Sequence, residues 1–214
     1  MKAKRILTFI FWTIIIAISV YFYYYNVFAY FYGYRNERFG TTLFTNQIWF
    51  VAHMVGATFS LFLGPVQFWP SVRKKYIRYH RMAGKLYIVG SLIAGISALR
   101  LSLINDCAGC RYPLFLLSVL FLLTTACAWI AIRRKNIVAH QQFMTRSYTL
   151  ALAFVFVRLY QILPLDFLYG PIHNAEVERT VNEWIFSFVP LIIVEIVMIW
   201  LPSLKKTRRA NHKQ

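Results

Sequence analysis

Acidic residues are scarce in this chain. Its 214 residues include seven Asp and Glu against 24 Lys and Arg, and all charged residues together make up only 14% of the sequence. Apolar residues reach 59%, a balance that is typical of membrane proteins and not of soluble domains. The sequence also lacks a glycine-rich phosphate loop, an HExxH motif and a Ser/His/Asp spacing, so no common class of soluble enzyme is indicated.

Six apolar stretches fill most of the chain, and each is long enough to cross a bilayer as a helix. A hydrocarbon core of about 30 Å requires roughly 20 mostly apolar residues. We predict membrane spans at Ile6–Phe31, Gln47–Phe68, Met82–Ile104, Pro113–Ile132, Ser147–Leu163 and Trp184–Leu201. Because backbone polar groups must be satisfied internally in lipid, the predicted fold is all-α. We expect one six-helix transmembrane domain over residues 1–204 and a basic cytoplasmic tail over 205–214.

The formal net charge of +17 would fit a nucleic-acid-binding surface, but its distribution indicates a membrane topology. Every second connection between the apolar stretches is basic, beginning with the amino terminus and ending with the tail. The acids lie in or beside the other connections, apart from Glu195. The positive-inside rule then predicts a multi-pass protein of the inner (plasma) membrane with both termini in the cytoplasm. The bilayer and its anionic lipid head groups are the expected partners, and nucleic acid is not.

Cysteine is also rare, and two of the three cysteines form a DCAGC segment in a connection predicted to be external. Cys107 and Cys110 could close a disulfide, or stay reduced as a redox or metal-binding pair. A single CxxC without a thioredoxin-like context is a weak signal, so we favour a disulfide that clamps the connection locally.

Small and polar residues recur along one face of the second and third predicted spans. They are separated mostly by three or four residues, as neighbours on one helix face are. The residues are His53, Gly56, Ser60, Gly64 and Gln67 on the second span, and His80, Gly84, Tyr87, Ser91, Ala94 and Ala98 on the third. Small residues let membrane helices approach closely, so we expect both faces to point into the bundle.

His80 and His140 precede two inside-to-outside spans and are expected at similar depth on the cytoplasmic side. A haem b iron needs two imidazoles from different helices at one depth. We therefore consider them candidate axial ligands of haem iron, with Arg81 and Arg146 as partners of the propionates. The alternative is an interfacial role, in which the histidines bind lipid phosphate or cap the backbone. Neither inner connection contains a carboxylate, which argues against a divalent metal site.

Three further polar residues lie within the predicted spans. His53 lies about two turns from the outer surface, and we favour a hydrogen bond to a neighbouring span over cofactor binding. Arg158 lies near the middle of the fifth span, at nearly the depth of Glu195 in the sixth. Because an unpaired charge in the membrane is costly, we predict an Arg158–Glu195 pair, which is either structural or part of a path. Arg158 also shares a helix face with His140, which would suit an anionic cofactor such as haem or a quinone head group.

Five motifs, in this order, resemble a known family. They are HMVG from His53, LGPVQFWP ending at Pro70, HRMAGKLYIVG at His80–Gly90, AHxxFMxRSY at Ala139–Tyr148, and RLY ending at Tyr160. Together they resemble a bacterial family of predicted membrane proteins catalogued as domain of unknown function 2306, over about residues 48–160. The resemblance implies a membrane protein but no established activity. In style, the histidine-bearing helices are similar to transmembrane cytochrome b and ferric-reductase bundles.

The sequence leaves three functions open. The first is a redox protein that binds haem b or a quinone through His80 and His140 and works with a membrane redox partner. The second is a transporter or lipid-handling protein with Arg158, Glu195 and His53 along its path. The third is a non-catalytic assembly subunit of a larger membrane complex. We favour the first function, and the sequence does not decide whether the chain is an enzyme.

Overall fold

The computed structural model describes residues 2–28, 30, 46–159, 170 and 172–204. These residues are helical almost throughout and contain no strand. The predicted tail at 205–214 lies outside the described residues, as does the side chain of Arg158. The chain forms two compact units, Met1–Ile104 and Asn105–Gln214. The expected single domain over residues 1–204 stays a prediction.

The described residues of the first unit form four α-helices. They are α1 at Lys2–Phe22, extended by a π-helical segment at Tyr23–Phe28, α2 at Ile48–Phe68, α3 at Pro70–Lys75 and α4 at Ile77–Leu103. Helix α2 ends where it does because a residue before proline is biased away from helical geometry. Trp69, which precedes Pro70, is accordingly extended. The ring of Trp12 stacks on that of Phe68 with centroids 5.5 Å apart, which packs α1 against α2.

Four α-helices also lie in the part of the second unit that the structure describes. They are α5 at Ala108–Arg133, α6 at Ile137–Ala151, α7 at Ala153–Leu159 and α8 at Ala175–Glu195, which continues into a π-helical segment at Ile196–Trp200. Asparagine caps fix two of the helix starts, as their side chains commonly do. The Asn136 Oδ1 accepts from the Ala139 N–H at 3.0 Å, and the Asn174 Oδ1 accepts from the Glu176 N–H at 2.9 Å.

The prediction of a helical membrane protein is confirmed, but the described helices provide five candidate spans. These are Ile6–Phe28, Ile48–Phe68, Ile77–Leu103, Ala108–Arg133 and Ala175–Leu204. The predicted fifth span, Ser147–Leu163, lies within the described residues only as far as Leu159, over the end of α6 and over α7, and it stays a prediction. The count of six and the orientation of the termini therefore stay predictions.

Several helices begin earlier than their apolar stretches. Helix α4 begins at Ile77 where we predicted Met82, α5 at Ala108 where we predicted Pro113, and α8 at Ala175 where we predicted Trp184. The physical reason is that a helix can continue through polar residues beyond its apolar part, and side-chain caps fix the starts of α5 and α8. Apolarity locates the part of a helix in lipid and not its ends.

Candidate functional site

Helices α2 and α4 approach so closely that their backbones touch. A Cβ added at Gly56 would lie 2.5 Å from the Gly90 carbonyl oxygen and 2.7 Å from the Ala94 nitrogen. One turn further along, the hydroxyls of Ser60 and Ser91 share a hydrogen bond of 2.8 Å, and both side chains are buried. The stripes of small residues predicted from the sequence thus meet each other inside the first unit, as small residues allow in membrane helices.

His53 crosses from α2 to α4 at this contact. Its Nδ1 lies 2.9 Å from the Ala94 carbonyl oxygen, and the side chain is half-buried. Because a carbonyl oxygen can only accept a hydrogen bond, Nδ1 must carry a proton. In the neutral ring, the lone pair that can bind a proton or a metal is then on Nε2.

Helices α5 and α6 form a comparable contact in the second unit. The hydroxyls of Thr125 and Ser147 lie 2.7 Å apart and are fully buried. The Nδ1 of His140 lies 2.9 Å from the carbonyl oxygen of Ala128, so it too donates to backbone. The His140 side chain is half-buried, and in the neutral ring its Nε2 carries the lone pair.

Glu195 is held by Arg146 across α6 and α8. The Arg146 Nε donates to Oε1, and its Nη2 donates to Oε2 at 2.9 Å, so the contact is bidentate. The guanidinium also lies over the Phe143 ring, 5.2 Å from its centroid. Both side chains are largely buried, at 17% and 29% exposed. The predicted Arg158–Glu195 pair stays a prediction, because the Arg158 side chain lies outside the described residues.

Helix α8 buries polar residues that the sequence analysis did not single out. Asn182, Glu183 and Ser187 are all buried, with Glu183 only 7% exposed. We had placed Glu183 in a connection, but α8 begins at Ala175, so Glu183 lies within the candidate span. The missed signal was the asparagine cap at Asn174, ten residues before Trp184, where the predicted span begins.

Cys107 and Cys110 are joined by a disulfide, with their Cα atoms 5.3 Å apart. Cys107 caps α5, and its Sγ accepts from the Cys110 N–H at 3.2 Å. The Thr180 hydroxyl of α8 lies 3.7 Å and 3.8 Å from the two sulfurs, and the Gly109 N–H donates to Glu176 Oε1 at 3.3 Å. The disulfide therefore shapes the start of α5 where it packs on α8.

The remaining predicted site residues lie near the start of α4. His80 is half-buried and Arg81 is exposed. His80 and His140 belong to different units, so their pairing stays a prediction. Within the described ranges, no group of three or more His, Cys, Asp or Glu could hold a metal ion.

The sequence of this chain matches the model of one protein family. The family of predicted membrane proteins DUF2306 matches residues 50–199, which is well over half of the chain and includes both helix pairs. No curated protein matches the chain, and no solved structure matches it. With its membrane-length helices and this match, the chain is a multi-pass membrane protein that belongs to the DUF2306 family.

Proposed function

We propose that this protein is a membrane redox protein that binds haem b, with His140 as an iron ligand. The observation that supports this proposal is the hydrogen bond from the His140 Nδ1 to the Ala128 carbonyl oxygen. Histidines that bind metals commonly donate their second ring N–H to such an acceptor, which fixes the ring and leaves Nε2 as the ligating atom. The contact to α5 therefore presents His140 in the form that haem iron requires.

The donors in the described part of the chain suit haem better than a bare metal ion. A protein-made metal site needs three or four side-chain ligands, and no such group occurs there. Haem brings four equatorial nitrogens of its own, so one or two imidazoles are sufficient. When bound, it would supply one-electron chemistry, while this chain would bind it, orient it and exclude water.

The absorption spectrum of the detergent-purified protein from haem-sufficient cells tests this proposal. We expect a Soret band, with loss or a clear shift of that band in His140→Ala. His173→Ala is the matched control, because His173 is exposed and lies before α8. A colourless protein that also fails to bind added haemin would refute the proposal, as would an unchanged spectrum in His140→Ala.

The second iron ligand requires its own variant. The sequence predicts His80, with Arg81 beside a propionate. If this is correct, His80→Ala converts a six-coordinate low-spin spectrum into a high-spin one, because the iron loses one strong axial ligand. A low-spin spectrum that survives in His80→Ala would exclude His80 as a ligand and leave the proposal for His140 intact.

A proton-coupled transport function is the second candidate, and the buried acid of α8 favours it. Ionisable residues inside membrane helices often mark proton paths, and Glu183 is buried in the company of Asn182 and Ser187. Proton flux into proteoliposomes, followed with a pH-sensitive dye, would then fall several-fold in Glu183→Gln. Glu178→Gln, on the same helix but less buried, should keep the flux. Equal flux in both variants would exclude Glu183 from such a path.

A further inference from the structure

One face of α4 is exposed and apolar over about half of the helix. The residues on this face are separated alternately by four and three positions, as neighbours on one helix face are. We call this face the apolar stripe, and it consists of Met82, Leu86, Val89, Ile93 and Ile96.

The apolar stripe lies on the side of α4 that is turned away from α2. The contact with α2 uses Ser91 and Ala94, which are both buried. At about 100° per residue, both lie roughly opposite Val89 on the helix. Because α4 is long and apolar enough to span a membrane, the apolar stripe is available to acyl chains.

Three exposed cations continue the same face toward the start of α4. Arg78 lies four residues before Met82 and Lys85 lies three residues after it, so both share the face of the apolar stripe. Arg81 lies at the edge of that face, four residues before Lys85. All three side chains are exposed, and we call Arg78, Arg81 and Lys85 the basic cluster.

The first unit has no acidic side chain nearby in sequence that could balance this charge. The chain contains no Asp or Glu between Glu37 and Asp106. Its described residues up to Ile104 therefore include no side-chain carboxylate. Helix α3 adds three more cations in its last turn, just before α4 begins. An anion for the basic cluster must accordingly come from outside this unit.

The distance from the basic cluster to the end of the apolar stripe fits one leaflet of a bilayer. Lys85 and Ile96 are 11 residues apart, which corresponds to about 16 Å along a helix. Half of the hydrocarbon core measures about 15 Å. The exposed rings of Trp69 and Tyr79 lie near the cationic end in sequence, as aromatic residues do at a membrane interface. A phospholipid presents its charged phosphate and its acyl chain in the same order.

We propose that this face of α4 is a binding site for one anionic phospholipid. The phosphate lies against the basic cluster, where a guanidinium group donates two parallel hydrogen bonds to phosphate oxygens. One acyl chain follows the apolar stripe. A zwitterionic lipid binds more weakly, because the basic cluster repels its ammonium group. The site does not involve the haem ligands of the proposed function.

Photo-crosslinking of the full chain in phosphatidylcholine vesicles tests this site. Each sample contains a trace of phosphatidylglycerol or of phosphatidylcholine that carries a diazirine in one acyl chain, and crosslinked peptides are identified by mass spectrometry. One Lys or Arg near a membrane surface strengthens the attraction of anionic lipid about fivefold. We therefore expect crosslinks on the apolar stripe to be about tenfold or more stronger from phosphatidylglycerol than from phosphatidylcholine.

A variant without the basic cluster determines whether these cations select the lipid. It combines Arg78→Gln, Arg81→Gln and Lys85→Gln. Glutamine is a good helix former, and the replaced side chains are exposed, so the fold should be retained. We expect crosslinking of the apolar stripe by phosphatidylglycerol to fall to the level of phosphatidylcholine.

The matched control removes the same charge from exposed positions at the end of α5 and just after it. It combines Arg133→Gln, Arg134→Gln and Lys135→Gln. Crosslinking of the apolar stripe by phosphatidylglycerol should remain unchanged in this control. An equal loss in both variants would overturn the inference, because the net charge of the whole protein would then attract the lipid.

Two further outcomes would also overturn the inference. Equal crosslinking by the two lipids would mean that α4 does not recognise the head group. If neither lipid crosslinked to the apolar stripe, protein and not lipid would cover this face. If the triple variant of α4 no longer elutes as a single folded species, Arg78→Gln with Lys85→Gln replaces it, and undiminished crosslinking in that variant would refute the site.

Discussion

The contact between Arg146 and Glu195 is a bidentate ion pair between two helices of the second unit. Depth along the predicted spans favours Arg158 as a partner of Glu195, and that pair stays a prediction, whereas the contact with Arg146 is observed. Helix α6 begins at Ile137, ten residues before the predicted fifth span, which places Arg146 well inside a helix that packs on α8. The bidentate geometry, which only arginine offers to a carboxylate, then joins these two helices.

At this scale we predict that Glu195→Gln destabilises the folded protein substantially. The charge of Arg146 would remain without the carboxylate that balances it, and hydrogen bonds to a charged group contribute about 1.5–3 kcal/mol. The thermal midpoint in detergent should fall accordingly, and the exchange Arg146→Glu with Glu195→Arg should restore part of the loss.

The matched control for this prediction is the exposed ion pair at the start of α8. Arg179 and Asp106 are 3.5 Å apart and are 33% and 55% exposed. A surface pair contributes about 0–1 kcal/mol, so Arg179→Gln should barely change the midpoint. The prediction would be contradicted if Glu195→Gln lowered the thermal midpoint no more than Arg179→Gln does.

At the scale of helices, two glycines with different surroundings explain the packing of α2 on α4. Gly56 faces backbone atoms of the partner helix, which cannot move without moving the helix. Gly84 faces the Oε1 of Gln67 at 3.0 Å from an added Cβ. That oxygen is the end of a flexible side chain, so it can turn away.

We therefore expect Gly56→Ala to weaken the helix pair and Gly84→Ala to be tolerated. Forcing a methyl group into a packed contact typically costs about 1–3 kcal/mol, whereas a change that only turns a side chain stays within about 0.5 kcal/mol. Thermal midpoints of the two variants in one detergent would measure this difference. A Gly84→Ala midpoint as low as that of Gly56→Ala would contradict the close backbone contact.

The junction of α6 and α7 belongs to the same scale. Helix α6 ends at Ala151 and α7 begins at Ala153. The Leu152 N–H still donates to the Tyr148 carbonyl at 3.1 Å, and the Phe156 N–H donates to the Leu152 carbonyl at 2.9 Å. Helical hydrogen bonding therefore continues through Leu152, as the apolar sequence there predicts.

At the scale of the whole molecule, the basic connections predict the topology. Arg73, Lys74 and Lys75 end α3, and Arg133 and Arg134 close α5. Positive residues of short connections remain on the cytoplasmic side. We expect a tag after Gln214 to be labelled only after the cells are permeabilised.

A second tag, inserted at Asn105 between α4 and α5, serves as the control. This connection is predicted to be external, so the inserted tag should be labelled on intact cells. Labelling of the carboxyl-terminal tag on intact cells would contradict the predicted orientation. Equal labelling of both tags would mean that an even number of spans, and not the three predicted, lies between Asn105 and Gln214.

Apolar length and composition were sufficient to establish the helical membrane class. They work because the bilayer acts on each segment locally and requires about 20 apolar residues per crossing. The spacing of small residues likewise predicted the faces of α2 and α4 that meet. Here the cause is again local, since residues three or four apart share a helix face.

Only the tertiary structure decided which groups meet across helices. It placed the Ala94 and Ala128 carbonyls on the two histidines and Glu195 on Arg146. It also showed that Glu183, which the sequence places in a connection, lies on a buried face of α8. These contacts depend on how each helix is rotated and shifted along its axis relative to its neighbour. The packing of whole helices determines both quantities, and no local pattern in the sequence specifies them.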